Sequence, residues 1–303
     1  MDKPMKCRRR LASRQNSSDA VAAATSPSVV DETSPARMAG SDREQTLCDK
    51  FWIWTHVAGS HNEGWNIPGP SHMTPVEGAA YLDVPNLIFV RYRDQPKLPL
   101  DPYAIAFRPM KRVVWSITGA DGRTSDEERR HVLGLARRFE NTAGFIMDDF
   151  FHPSGEGALP PKQLEALRGQ LVVDRRRLPL YVVVYRHQLE LPIQDHLKFC
   201  DKITFWTWTA GEIEHLEKSF ARLGKVAPDH GKLLGCYMWD YDRRQAMPLE
   251  LMKKQCNLGL RLLRTGRIEG MIFLASNICD LQLPAVEYTR RWIADVGPTA
   301  IGA

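Results

Sequence analysis

Two acidic pairs occupy positions suited to a catalytic carboxylate. One follows an apolar run in Gly144-Phe145-Ile146-Met147-Asp148-Asp149, and the other takes alternate positions in Met238-Trp239-Asp240-Tyr241-Asp242. Side chains alternate across a strand, so a run that turns Gly144 and Ile146 inward sends Asp148 inward and Asp149 to the opposite face, whereas Asp240 and Asp242 share a face. Breaking a glycosidic bond requires two such groups, one ionised as nucleophile or as the base that activates water, the other protonated to release the leaving group. Asp148 suits the ionised role, because Arg91 and Arg93 offer donors that favour a carboxylate; Asp240 suits the proton donor, since Trp239 and Tyr241 beside it would raise its pKa by desolvation. Asp149 and Asp242 are the alternates within each pair, and Glu63, Glu156 and Glu212 lie in connecting segments from which any of them could replace an aspartate. Each acid also has a plain structural use: loop hydrogen bonding for Asp148 and Asp149, pairing with Arg243 and Arg244 for Asp240 and Asp242, and a capping box in Thr209-Ala210-Gly211-Glu212.

The second kind of chemistry is aromatic. Of the eight tryptophans, Trp52, Trp54, Trp65, Trp115, Trp206, Trp208 and Trp239 fall in strand-like runs or in the segment after the first run, and only Trp292 falls in a helical one. An indole offers a flat apolar face and one N–H donor, which matches the C–H faces and hydroxyl rim of a pyranose; individual rings also serve simply to fill a core. Trp54, His56, Trp115, Tyr185, His187, Trp206, Trp208, Trp239 and Asn277 are the expected substrate contacts. Arg91 and Arg93 join them as receivers of an anionic substituent such as a uronate carboxylate, although a salt bridge would use them equally well. His56, His61 and His187 with Asp148 form the alternative of a metal-dependent sugar isomerase or hydrolase. Its spacing is poor, because Trp54 stands where an H-x-H pair on the first run would need a histidine, so no metal is expected. No cofactor is expected either: the phosphate loop, the dinucleotide fingerprint G-x-G-x-x-G and the nucleophile elbow are all missing from the sequence.

These residues matter together only if the chain brings run ends to one place. Eight short apolar runs can be counted: Phe51 to His56, Asn86 to Tyr92, Arg112 to Ile117, Gly144 to Asp149, Leu178 to Tyr185, Lys202 to Thr209, Leu233 to Asp240 and Gly270 to Asn277. Most are apolar on both faces, as strands covered on both sides must be. Between them lie segments of helical period. Thr74-Pro75-Val76-Glu77 predicts a capped start, Ser125 precedes three acids, and helices are expected over Pro161 to Arg175, Leu191 to Phe199, Glu212 to Leu223, Leu249 to Arg264 and Leu283 to Val296. Eight such units satisfy the right-handed crossover most economically by closing into a (β/α)8 TIM barrel, an α/β fold whose active site lies at the carboxyl ends of the strands. A doubly wound open sheet is the competing fold, and the turn after the first run lacks its glycine pattern.

With acids ending the fourth and seventh runs and aromatics around the mouth, the chain resembles the (β/α)8 glycoside hydrolases. Gly144 and Phe145 ahead of Asp148 match the Gly-Phe type of fourth strand that precedes an acid in many of those families. The resemblance spans the whole domain but is architectural. The D-x-x-D-x-D-x-E signature of chitinase-like barrels fails at Phe150, and the fourth-strand Asn-Glu of another large clan is missing. It implies a hydrolase acting on glycosyl bonds of a carbohydrate substrate. A barrel that binds carbohydrate without turning it over is a further alternative, against which stands the stability cost of idle acids beside a desolvated pocket.

Composition narrows the setting. The formal net charge of +5 owes much to Lys6, Arg8, Arg9, Arg10 and Arg14, and no basic stripe runs through the rest, so nucleic acid is not an expected partner. No run of 18 apolar residues exists to span a membrane. The six cysteines lack C-x-x-C spacing, and Cys200, Cys236 and Cys279 sit in or beside apolar runs, which fits free thiols in a cytoplasmic, reducing setting. Residues 1–45, rich in Ser, Ala and Pro, are expected to be a disordered tail; Asn16, Ser17, Ser18 and Asp19 interrupt any export signal. Residues 46–303 are then the catalytic barrel, about 255 residues against a usual ~250.

Overall fold

Eight parallel strands close on themselves, and their order around the ring is their order in the chain. The structure, a computed structural model, describes residues 45–120 and 122–301. The tail expected over residues 1–45 lies, apart from its last residue, outside the described residues. The strands are β1 (Phe51–Thr55), β2 (Asn86–Phe89), β3 (Arg112–Thr118), β4 (Thr142–Met147), β5 (Leu180–Tyr185), β6 (Lys202–Trp206), β7 (Gly231–Tyr237) and β8 (Gly270–Leu274). β1 pairs in parallel with β2 on one side and with β8 on the other, Trp54 lying opposite Ile88 and Leu274. The fold is therefore the expected TIM barrel, and the open sheet is excluded by that last pairing.

Among the described residues eight α-helices surround it: α1 (Pro75–Leu82), α2 (Asp101–Ala106), α3 (Asp126–Arg138), α4 (Pro161–Gln170), α5 (Gln194–Leu197), α6 (Leu216–Val226), α7 (Leu249–Arg264) and α8 (Pro284–Val296). Their starts follow local chemistry. Thr74 and Glu77 cap each other at α1, and the Ser125 hydroxyl accepts from the Glu128 amide at α3. On α7 the buried positions Met252, Gln255, Cys256, Gly259, Leu262 and Leu263 form one stripe against the sheet. Gln255 within it is polar for a reason: its amide accepts from the Tyr237 N–H at 3.0 Å and donates to the Tyr237 carbonyl at 3.2 Å, satisfying the backbone where β7 leaves the ladder.

The differences from the sequence reading are concentrated at element ends. Six of the strands stop short of the apolar run that announced them: β2 at Phe89 rather than Tyr92, β4 at Met147 rather than Asp149, β6 at Trp206 rather than Thr209, β7 at Tyr237 rather than Asp240, β8 at Leu274 rather than Asn277, and β1 at Thr55 rather than His56. Among the extra residues His56, Tyr92, Asp148, Asp149 and Trp208 line a cavity, a use that periodicity cannot tell from strand. The helix expected over Leu191 to Phe199 is a 3-10 turn, Arg186–Glu190, followed after Pro192 by the single turn α5. Beyond α4 the chain turns back as a two-residue hairpin, Val172–Val173 with Arg176–Arg177.

Among the described residues no helix is long and apolar enough to cross a membrane. Cys48, Cys200, Cys236, Cys256 and Cys279 are free thiols, the last four buried.

One contact ties the barrel interior to what lies above it. The Trp206 indole crosses to β7 and lies where a side chain at Gly235 would be: a Cβ there would approach its ring carbons to 2.1 Å. Overpacking of this kind costs about 1–3 kcal/mol. Gly235→Ala is expected to lower the denaturant midpoint accordingly, and a Gly235→Ala/Trp206→Leu double variant to recover part of the loss. An unchanged midpoint in the single variant would mean that the indole does not depend on that gap.

Candidate active site

A cavity of about 370 Å³ opens at the carboxyl ends of the strands. Its floor is aromatic. Trp54 from β1 meets Trp206 edge to face at 5.3 Å, and Trp206 meets Tyr237 at 5.1 Å. Above them stand Trp208, Trp65 and Tyr241, with Trp65 edge-on to Tyr241 at 5.3 Å and to Trp208 at 6.0 Å. Trp65 comes from the long β1–α1 loop and is held from behind by Trp239, whose indole N–H donates to the Trp65 carbonyl at 2.9 Å.

Two acids line the cavity, Asp148 and Asp149, consecutive in the chain directly after β4. Strand parity had separated them, and the backbone reunites them. The chain leaves the ladder at Met147, and Asp149 takes a left-handed conformation at φ 43°, one that aspartate tolerates better than most residues. The Asp148 carbonyl accepts from the Thr118 hydroxyl of β3 at 2.8 Å, and its carboxylate accepts the Asp149 amide N–H at 3.0 Å. Gly122 lets the β3–α3 loop pass close by, since a Cβ there would lie 2.6 Å from the Asp149 carbonyl oxygen; its φ of +71° is also one that glycine adopts at no cost. Tyr185 at the end of β5 donates its hydroxyl to Asp149 Oδ1 at 2.8 Å. Burial, then the neighbouring Tyr237 and the two aspartates, hold that phenol well above the ordinary tyrosine range, so it stays a donor. Gln188 fixes it further by accepting the Tyr185 N–H at 3.0 Å while donating to the Phe151 carbonyl.

Two histidines of the cavity, His56 and His61, are neutral. His56 donates from Nδ1 to the Val90 carbonyl at 2.9 Å, which leaves Nε2 to accept the Trp54 indole N–H at 3.2 Å. Burial pushes its pKa down to about 4, against which the Val90 bond acts only in part. His61 is pushed well below the usual range by burial and then by His56 and Arg93; its Nδ1 shares a hydrogen bond with the Tyr241 hydroxyl. His187 lines the cavity as well and stacks on the Tyr185 ring at 5.6 Å. The metal-binding alternative fails on this donor chemistry: both nitrogens of His56 are engaged, and no three His, Cys, Asp or Glu side chains among the described residues are grouped to hold an ion.

Of the expected site residues, Asp148, Asp149, Trp54, His56, Tyr185, His187, Trp206 and Trp208 come together around the cavity. The others do not. Asp240 is 1% exposed and closes the small hairpin that follows β7, accepting from the Arg243 amide at 3.1 Å and from Gln245 Nε2 at 3.3 Å. Asp242 is exposed on that hairpin. The reason is that β7 ends at Tyr237, so face parity counted onward to Asp240 no longer applies. Trp115 faces the helical layer, packed on Phe89 at 5.7 Å and Phe107 at 5.4 Å. Trp239 supports Trp65 from outside, and Asn277 donates to the Ser60 hydroxyl at 2.8 Å. Arg91 turns to the buried Glu128, 2.7 Å away, and Arg93 is exposed over the Tyr92 ring, so neither guanidinium reaches the cavity to receive an anionic group. Glu63 and Glu156 are exposed, and Glu212 pairs with Arg186. Tyr92, Tyr237, Gln188 and Phe151 line the cavity unforeseen. Only Tyr237 carried a signal, as the residue sharing strand parity with Gly235 on β7; the rest sit beyond the strands.

Because its folded-state pKa is depressed, His56 contributes stability that is complete above about pH 6.5 and is lost as pH falls through about 4. The loss is on the order of 3 kcal/mol. His56→Asn, which does not titrate there, should flatten the fall in stability between pH 7 and 4, measured by denaturant melts at each pH. Parallel curves for the two proteins would contradict a buried neutral imidazole.

No family model matches the chain, and no curated protein matches its sequence. Solved structures share its fold. The GH99 endo-alpha-mannosidase from Bacteroides thetaiotaomicron is 10% identical with a TM-score of 0.52, covering 83% of this chain and 98% of that one. The family GH18 chitinase from Cycas revoluta, in complex with allosamidin, is 12% identical with a TM-score of 0.52 over 81% and 99%. The GH113 beta-mannanase AaManA from Alicyclobacillus acidocaldarius is 10% identical with a TM-score of 0.51 over 83% and 98%. At such identities the likeness is one of fold: this chain is built as those glycoside hydrolase barrels are.

Proposed function

We propose that this protein is a glycoside hydrolase-like enzyme that cleaves a glycosidic bond in the aromatic cavity, with Asp148 and Asp149 as its carboxyl groups. The observation that carries the reading is the consecutive pair of acids at the end of β4, set among rings suited to sugar faces. Asp148 is assigned the ionised role, as nucleophile or as the base that activates water, and its carboxylate is oriented by the Asp149 backbone N–H. Asp149 takes the proton-donor role expected of Asp240. Tyr185 engages its Oδ1 and orients the group. Trp54, Trp206 and Trp208 provide apolar faces for the ring of the substrate, and His56, locked by two hydrogen bonds, keeps Trp54 in place. Barrel relatives that bind or act on chitooligosaccharides and mannosides support a carbohydrate ligand.

A second reading has one observation in its favour. Among the described lining residues both acids come from a single strand end, so none faces them across the cavity, and a barrel that binds sugar without hydrolysing it would need no more.

The test is turnover of a panel of aryl glycosides by three variants. Asp148→Asn and Asp149→Asn should each lower kcat by about 10²–10⁴-fold, with the Asp149 variant partly rescued on substrates whose leaving group is good. Asp240→Asn should lose stability but keep turnover. Wild-type turnover in Asp148→Asn, or abolished turnover in a folded Asp240→Asn, would overturn this assignment. Sugar binding without turnover by the wild-type protein would favour the second reading.

A further inference from the structure

We infer that His61 is a specificity-determining residue of the cavity: with Nδ1 occupied by Tyr241, its imidazole presents an Nε2–H that donates to a hydroxyl oxygen on the side of the sugar away from the two aspartates. The inference rests on the hydrolase reading above and names a group that its substrate must carry.

The segment after β1 builds a fixed turn for this histidine. The Ser60 N–H donates to the Val57 carbonyl at 3.1 Å and the Asn62 N–H to the Gly59 carbonyl at 3.0 Å. Long-range bonds hold the turn on either side of His61. Asn277 donates to the Ser60 hydroxyl at 2.8 Å, and the Asn62 side chain donates to the Ser71 carbonyl at 3.1 Å while accepting the Ser71 N–H at 2.8 Å. The imidazole between them is 3% exposed and lines the cavity. His56 at 5.2 Å, Tyr241 at 5.4 Å, Tyr92 at 5.5 Å and Trp65 at 6.3 Å surround it, so its place is set before a ligand arrives.

The bond to Tyr241 decides where the proton of the ring sits. That phenol is buried too, and His61 Nδ1, at 3.2 Å, is the one hydrogen-bond partner of its hydroxyl among the described residues. Burial, then Cys279 and Tyr92, hold the phenol well above the ordinary tyrosine range, so it keeps a proton to donate. A buried O–H without an acceptor is unfavourable, and donation to Nδ1 avoids that. The single proton of the neutral imidazole is then on Nε2. Unlike the two engaged nitrogens of His56, this Nε2 has no partner among the described residues. A donor held rigidly in a cavity wall is met by a ligand oxygen and left unmet by an analogue lacking it, an arrangement that discriminates strongly between the two.

The same geometry places the contact away from the chemistry. β4, which releases the aspartates, lies three strands round the ring from β1, and the rings set against His61 come from the segments after β1, β2 and β7. A hydrogen bond so placed holds substrate and transition state alike, so its loss raises KM rather than lowering kcat.

The experiment has two arms, both on the full chain. In the first, long-range 15N–1H NMR of the imidazoles, assigned with His61→Gln, should show His61 protonated on Nε2; the opposite tautomer overturns the inference. In the second, methyl glycosides of glucose, galactose and mannose and their monodeoxy analogues are titrated by calorimetry. For the sugar that binds best, removal of one hydroxyl should weaken binding about tenfold. That penalty should vanish in His61→Phe and persist in His61→Gln, which keeps a donor. Where His61→Phe does not fold, Tyr241→Phe replaces it: with Nδ1 released, the penalty should shrink. On the 4-nitrophenyl glycoside of the same sugar the variant that loses the penalty should raise KM about tenfold and leave kcat within about twofold. Penalties equal in wild type and variants, or a fall in kcat at constant KM, overturn the inference and leave the hydrolase reading standing. A penalty that depends on His61, without turnover of any of the 4-nitrophenyl glycosides, supports the inference and removes the hydrolase reading. No binding by any of the sugars overturns both.

Discussion

The interior of an eight-stranded barrel is a fixed volume that side chains must fill, and here the filling is done by one indole lying across a missing side chain. Trp206 occupies the space over Gly235, leans on Trp54 and Tyr237, and donates its N–H to Thr204 two residues back on its own strand. Below this layer the same strands carry Trp52 under the Arg112 guanidinium and Tyr181 beside Lys202; above it the rings become the floor of the cavity. Everything that lines the cavity is positioned relative to that floor. Trp54 is held on it by His56, His56 is held by the Val90 carbonyl, and the floor ends where β4 releases the two aspartates.

Several of the polar groups above the floor are held uncharged by burial. A buried imidazole with both nitrogens engaged stays neutral, and a buried phenol beside two acids keeps its proton. The site therefore keeps the hydrogen-bonding capacity of His56 and Tyr185 with neither group charged. The basic side chains that the sequence places near the strand ends are used to close the shell instead. Arg91 reaches Glu128 on α3, where burial raises the acid's pKa and the guanidinium opposes that shift, and the pair anchors the segment that presents Tyr92. Trp239 and Asp240 do comparable work after β7: one supports Trp65, the other satisfies the turn that brings Tyr241 over the cavity.

The pattern of eight apolar runs separated by amphipathic segments is a local property, written in the period of the hydrophobic residues, and it was enough to determine the barrel. The same local logic located Asp148, Trp54, Tyr185 and Trp206, because each is at or next to the end of its strand, where inward and outward alternate without exception. Helix starts at Thr74 and Ser125 were legible for the same reason: a cap is a bond between residues three apart.

What the sequence could not decide is where the alternation stops. The apolar runs give no sign of where β2, β4 and β7 leave the ladder, so Arg91, Asp149 and Asp240 were assigned faces by a parity that the chain had already abandoned. Arg91 turns to Glu128 and Asp149 sits on a left-handed turn braced by Tyr185, both contacts distant in the chain, while Asp240 closes its own hairpin through Arg243 and Gln245. By itself the sequence determined the barrel and put an aspartate just past the end of the fourth strand, where the cavity opens. Only the tertiary structure decided that the second acid of the cavity is the neighbour of the first rather than an aspartate three strands away, because that choice is made by loop backbone and long-range hydrogen bonds, which carry no period to read.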